Sequence, residues 1–171
     1  MGGQQASAWS VIHSSKDDGW RTPPKLFSLL NDEFGFGLDA AATDENKLCE
    51  SYLSPLEDAL DISWYAPGAV FCNPPYGRHV GKWVEKAWQE SRKRDEPIVL
   101  LVMACTDTAW WHDHAWKADE IRLLRGRVHF LKPDGSKAAA APKGSAILVF
   151  RRHVPPGGWP GGPRVISCSV K

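Results

Sequence analysis

The 171-residue sequence contains no run of 18 or more apolar residues, so no segment reads as a helix long enough to cross a membrane. Its start, Met1-Gly2-Gly3-Gln4-Gln5, lacks a basic stretch followed by an apolar one, and no secretory signal is expected from it. Cysteine is sparse: Cys49, Cys72, Cys105 and Cys168 are the four, with no CxxC pair among them. That pattern excludes a disulfide frame and a zinc ribbon, and fits reduced thiols in a cytoplasmic protein. There is no GxxxxGK[ST] phosphate loop, which argues against nucleotide hydrolysis. His112-Asp113-His114 suggests a metal site, but residues two apart do not share a helical face and no third ligand is evident. No metal is expected.

Acid is almost missing from one end of the chain. Residues 121 to 171 hold 10 Lys/Arg and a single acid, Asp134, a balance of +9, whereas residues 1 to 120 balance at −8. Such asymmetry suggests one surface suited to a polyanion. Arg122, Arg125, Arg127, Lys132, Lys137 and Lys143 are the candidates for phosphate contacts, which would position a duplex without reading its sequence.

Hydrophobic residues make up 43% of the chain, and nine are tryptophans. That is enough for the core of one domain. Thr22 reads as a helix cap with Pro23 in the first turn, and Leu26, Leu30 and Phe34 recur on one face. Phe36 to Ala40 and Val70 to Cys72 read as strands, and His79 to Arg94 as an amphipathic helix with Val80, Trp83, Val84, Ala87 and Trp88 on one stripe. Pro97 to Ala104 is a continuous apolar run, the pattern of a strand covered on both faces. Thr108 to Lys117 reads as a helix, and Ile121 to Leu124, Val128 to Leu131 and Ala146 to Arg151 as strands. This alternation predicts an α/β fold, a mostly parallel sheet with helices on both faces and an antiparallel strand at one edge. Residues 1–18 are expected to be a loose segment, 19–153 a single catalytic domain, and 154–171 a flexible tail carrying Gly158 to Pro163.

The residues that carry chemistry are Asn73-Pro74-Pro75-Tyr76. They follow an apolar strand and precede a helix. A doubly wound sheet binds ligands at the carboxyl ends of its strands, which selects this place and the residues after Leu38. An arylamine is a poor nucleophile because its lone pair is delocalised into the ring. The Asn73 side-chain carbonyl and the Pro74 backbone carbonyl together accept both amino hydrogens, which favours a tetrahedral nitrogen. The locked dihedrals of Pro74 and Pro75 fix where that backbone carbonyl points. Tyr76 offers an aromatic face for an extruded base. Attack by such a nitrogen on a sulfonium methyl needs positioning and electrostatics but no metal. Asp39, followed by Ala40, Ala41 and Ala42, is a carboxylate beside small residues that let a ligand approach the backbone. Asp58 is a second carboxylate near a turn.

Trp20-x-Thr22-Pro23, then Leu38-Asp39-Ala40-Ala41-Ala42-Thr43, then Asn73-Pro74-Pro75-Tyr76-Gly77 occur in that order. With Trp83-Val84, Thr106-Asp107-Thr108, Trp110-Trp111 and Gly126 to Phe130, they resemble the phage-type DNA N-6-adenine methyltransferase family. The resemblance runs from about Trp20 to Arg152. It implies a Rossmann-like methyltransferase sheet, S-adenosylmethionine as methyl donor, double-stranded DNA as substrate and base flipping, in a bacterial host cytoplasm if the chain is phage-encoded. It implies cofactor contacts from Trp20, Thr22, Pro23, Asp39, Ala40, Ala41, Asp58 and Asn73, and catalysis by Asn73, Pro74, Pro75 and Tyr76. The FxGxG of many methyltransferases is replaced here by Asp39-Ala40-Ala41-Ala42. No cysteine follows a proline, so the thiol used to methylate carbon 5 of cytosine is not evident.

The four-residue motif by itself serves any planar amide or arylamine nitrogen. Cytosine amino or protein glutamine methylation, or a silent nucleic-acid-binding module on the same scaffold, are the alternatives. Nothing resembles a separate recognition domain, so short or relaxed sequence specificity is expected.

Overall fold

The computed structural model describes residues 20–152 and 161–169. Seven strands form one sheet: β1 (Phe36–Asp39), β2 (Ser51–Tyr52), β3 (Ala69–Cys72), β4 (Ile98–Met103), β5 (Glu120–Arg125), β6 (Ser145–Phe150) and β7 (Arg164–Ser169), in the spatial order β2-β1-β3-β4-β6-β5-β7. Among the described residues three helices accompany them, α1 (Pro24–Phe34), α2 (Val80–Ser91) and the short α3 (Ala109–Asp113), with one 3-10 turn at Ala115–Lys117. None is long and apolar enough to cross a membrane.

β4 shows why the sheet needs cover on both faces. Ile98, Leu100 and Val102 pack with Trp83, Val84 and Ala87 of α2 and with Trp111 of α3. Val99 and Leu101 pack on the other face with Leu26 and Leu30 of α1. Alternate residues of a strand point to opposite faces, so a run that is apolar throughout is stable only between two layers.

The boundaries follow local chemistry. α1 begins at Pro24 with an extended Pro23 as N-cap and no side-chain cap, where the sequence predicts Thr22 as cap. Thr22 and Pro23 each precede a proline, which disfavours helical dihedrals at both. Gly35 ends α1 in the left-handed conformation, its N–H donating to the Asn31 carbonyl. The helix predicted over Thr108 to Lys117 divides into α3 and the 3-10 turn.

Three expectations about the late strands are corrected. The antiparallel strand is not at an edge: β6 runs against β4 on one side and β5 on the other. The chain passes over β6's place, builds β5, then returns to fill the gap. The edge is β7, parallel to β5 and drawn from the segment expected to be a flexible tail. Its apolar signal, Val165 and Ile166, is short and follows a Gly/Pro-rich stretch. An ion pair between Arg164 and buried Glu120, at 2.6 Å, ties its first residue to β5. Val128 to Leu131 is not a strand; it makes only isolated bridges, Leu131 to Arg21 and to Lys137. The expected loose segment 1–18 lies outside the described residues.

A bulge in β1 sets the phase of the site. Phe36 pairs with Ala69 and Leu38 with Val70, so Gly37 is an extra residue. Phe36 and Leu38 consequently pack on opposite faces, and Asp39 is carried onto the α1 side. A Cβ at Gly37 would sit 1.7 Å from the Pro67 carbonyl oxygen. Backbone cannot yield as a side chain does, so Gly37→Ala should lower the free energy of unfolding by about 2–3 kcal/mol in a urea titration. A loss below about 0.5 kcal/mol would show that the bulge does not depend on the missing side chain.

Candidate active site

β1 and β3 lie side by side and run in the same direction. Their carboxyl ends, Asp39 and Cys72, open at the same edge of the sheet. Asn73 follows directly, and Pro74 restricts it to an extended backbone. Its side-chain amide is held at both ends. Nδ2 donates to the Trp20 carbonyl at 2.9 Å, and Oδ1 accepts the Tyr76 hydroxyl at 2.9 Å. The Tyr76 hydroxyl also lies 3.4 Å from the Leu101 carbonyl at the middle of the sheet. The Trp20 carbonyl can only accept, so it fixes which end of the amide is nitrogen. An amide oxygen has two lone pairs, and Tyr76 uses one.

Tyr76 is therefore oriented differently from a simple stacking platform. It lines the cleft, but its hydroxyl turns inward, and its ring meets Phe130 edge-to-face at 5.8 Å. Burial pushes the phenol well above its ordinary pKa, with Cys72 and Cys105 adding to the shift, so it remains a donor.

Asp39 forms the opposite wall and is only 3% exposed. One carboxylate oxygen accepts the Ala41 N–H at 3.3 Å and the other the Leu48 N–H at 3.2 Å. Burial pushes its pKa up to about 6, against the pull of those two N–H groups. The same burial, with the Asp39 charge beside it, raises the Cys72 thiol. It raises the Cys49 thiol to about 12, so neither thiol is a nucleophile.

Trp20, Thr22, Asp39, Ala41 and the run from Asn73 to Tyr76 border one cleft. Three of the residues expected to contact the cofactor are not among its walls. Pro23 is the N-cap of α1. Ala40 is fully buried in the core on the α2 side. Asp58 borders a different groove with Lys82, Glu85, Lys86 and Gln89. It has a left-handed backbone, φ 36°, and its carboxylate accepts the Leu60 N–H at 3.3 Å, so it shapes a turn. Arg21, Asn46, Leu48 and Phe71 are walls that sequence reasoning missed. Arg21 is the unspecified residue of Trp20-x-Thr22-Pro23; its guanidinium donates to the Glu45 carbonyl at 3.1 Å.

Comparison with known proteins bears on this cleft. The model of the DNA N-6-adenine-methyltransferase (Dam) family matches residues 9–166. The chain belongs to that family. It is 31% identical over 151 residues to the "DNA N-6-adenine-methyltransferase" of Escherichia phage T1, covering 78% of this chain and 63% of the relative. It is 38% identical over 65 residues to the "Putative methyltransferase YfdM" of Escherichia coli (strain K12), covering 34% of this chain and 71% of that one.

The cations of this Dam-family chain divide into two groups. Arg122 is spent within the fold: its guanidinium meets Glu33 at 2.5 and 2.6 Å and Glu120 at 2.6 Å. Those bonds raise its pKa further. Burial alone would raise the Glu120 carboxyl, but Arg164 and Arg122 outweigh it and hold it below its ordinary value. Arg151 and Arg152 pair with Asp119 and Asp95. Arg125, Arg127, Lys132, Lys137 and Lys143 are exposed. Arg127 also donates to the Ala141 carbonyl at 3.0 Å, and Lys143 lies 3.5 Å from the Cys105 sulfur. Among the described residues, no group of three or more His, Cys, Asp and Glu side chains is arranged to hold a metal ion.

The fixed orientation of Asn73 has a measurable consequence. In Asn73→Asp an oxygen replaces Nδ2 and faces the Trp20 carbonyl, which raises the new carboxyl's pKa. Such a group contributes its stability below the unfolded-state pKa and loses it as pH rises. The deficit against wild type should be small near pH 4 and grow to about 1–3 kcal/mol at pH 8. A deficit independent of pH would show that the amide is not held this way.

Proposed function

We propose that the chain transfers a methyl group from S-adenosylmethionine to the exocyclic amino group of adenine in double-stranded DNA. The observation that carries this reading is the Asn73 amide, clamped at both ends in the cleft that also holds buried Asp39. Bound S-adenosylmethionine supplies an electrophilic sulfonium methyl. The residues present fit its amino-acid end. Asp39 is a buried carboxylate whose hydrogen bonds come from backbone N–H groups, which leaves its charge to be matched by an ammonium. Arg21 on the same cleft suits a carboxylate, and Ala41 leaves room for backbone approach. The remaining lone pair of Asn73 Oδ1 and the Pro74 carbonyl accept the two amino hydrogens of the target base, which draws its nitrogen towards a tetrahedral, nucleophilic state. The gain comes from dipoles already in place before reaction.

The exposed cations from Arg125 to Lys143 supply the phosphate contacts. Between β1 and β3 there is only the two-residue strand β2 and turns, which supports short or relaxed sequence specificity. The phage relative fits action in a bacterial host cytoplasm.

The direct test uses labelled methyl donor and unmethylated duplex DNA, digested to nucleosides. Label is expected in N6-methyl-2′-deoxyadenosine only, in many sequence contexts, and Asn73→Ala should lose roughly 10²–10³-fold in rate. Label in cytosine or in protein glutamine, or no transfer at all, would overturn the reading.

The pH dependence of binding follows from Asp39. In the free protein its carboxyl titrates near pH 6, and an ammonium partner favours the ionised form. Affinity for S-adenosylhomocysteine, measured calorimetrically, should be level above pH 6 and weaken about tenfold per unit below it. The ligand-free fold responds oppositely: because this pKa is raised, its contribution to stability is full below the unfolded value and is lost as pH rises through 6. Affinity level from pH 7 down to pH 4.5 would remove Asp39 from the ammonium site.

Salt dependence separates the two groups of cations. Lys132→Ala with Lys137→Ala should flatten the slope of log affinity for DNA against log salt by about 1.8. Arg122→Ala should instead lower the melting temperature and leave the slope unchanged. The reverse pattern would move the DNA surface to Arg122.

A further inference from the structure

Phe130 has no polar group, yet it is fully buried in a stretch where Arg127, His129 and Lys132 are exposed. Its ring meets Trp20 edge-to-face at 5.3 Å and Tyr76 at 5.8 Å. Those are the two residues that hold Asn73: the Trp20 carbonyl takes Nδ2 and the Tyr76 hydroxyl serves Oδ1. Asn73, Trp20, Phe130 and Tyr76 thus close a ring of contacts, with Phe130 opposite the amide. The next residue, Leu131, exchanges both backbone hydrogen bonds with Arg21, each at 2.9 Å. Val128 is buried on the same side. The segment between β5 and β6, which carries the exposed cations, is therefore attached on the cleft side through Phe130 and one backbone bridge, with Val128 and Ala141 buried in the same apolar cluster.

We infer that Phe130 is a positioning residue, which transmits the placement of the cationic segment to the Asn73 amide through Trp20 and Tyr76. Docking of DNA phosphates on the segment and shaping of the methyl-accepting site are then one event. A shift of Phe130 moves both partners of the amide together. Phe150, in the core on the other face of the sheet, meets neither of them. This inference rests on the proposed function.

The test is a double-mutant cycle read by single-turnover methyl transfer at saturating DNA and donor, normalised to the fraction that binds S-adenosylhomocysteine. Phe130→Leu is expected to slow transfer roughly 10- to 100-fold, with S-adenosylhomocysteine affinity within about threefold of wild type. Tyr76→Phe removes the hydroxyl on Asn73 and should also slow transfer. The double variant should be no slower than the worse single one, because both act through one amide. Phe150→Leu, equally buried but in the core on the α2 side, should lower the melting temperature and leave the normalised rate unchanged. Should Phe130→Leu not fold, Phe130→Met, of similar volume, carries the same cycle. A Phe130 variant that transfers within twofold of wild type, or multiplicative effects in the cycle, would overturn the inference and leave the proposed function standing. A wild type that transfers no methyl to DNA would remove both.

Discussion

The side-chain amide of Asn73 has a fixed direction because a backbone carbonyl takes its nitrogen and a phenolic hydroxyl takes one lone pair of its oxygen. An asparagine on an open turn could flip and present either end to a ligand. Here a flip would set carbonyl against carbonyl at Trp20 and oblige the Tyr76 hydroxyl to turn from donor to acceptor, so the Trp20 hydrogen bond is lost. The other features of the cleft serve this constraint. The two prolines hold the turn, the parallel pairing of β1 and β3 brings Asp39 beside it, and the Gly37 bulge puts the Asp39 side chain on the same face.

Charge is used in two ways. Most acids precede residue 121 and most of the excess base follows it, yet the pairs Arg122–Glu33, Arg151–Asp119, Arg152–Asp95 and Arg164–Glu120 join the two halves. Part of the positive balance therefore holds the late strands β5 and β7 to the rest of the sheet. What remains uncompensated lies mainly between Arg125 and Lys143, next to the cleft. A polyanion would meet charge where the fold has left it unspent, and these cations need not be taken from structural pairs.

Much of this was legible in the sequence. The apolar run at β4 and the stripe of α2 have strong periodic signals, and Asn73 to Tyr76 stands out because few folds need two prolines after a buried strand. The less legible parts depend on distant contacts. Sequence spacing could not place β6 between β4 and β5, since only the sheet's pairing decides that. β7 was hidden because six residues after a Gly/Pro-rich stretch carry little pattern until β5 offers its edge. Arg122 looked like any other arginine of a basic region until Glu33, 89 residues away, closed on it. Asp58 reads in the sequence as a second carboxylate near a turn, and its backbone conformation assigns it to that turn. Phe130 gave a motif signal without a role, because its role lies in which two residues it touches.

The central claim is that the donor and the acceptor base meet in the cleft between β1 and β3. Side-chain amide resonances can decide this, because Asn73 and Asn46 border that cleft while Gln89 borders the Asp58 groove. In a nitrogen-15 correlation spectrum titrated with S-adenosylhomocysteine, the side-chain NH₂ signals of Asn73 and Asn46 should shift while that of Gln89 stays in place. Movement of the Gln89 signal with Asn73 and Asn46 unchanged would contradict the account.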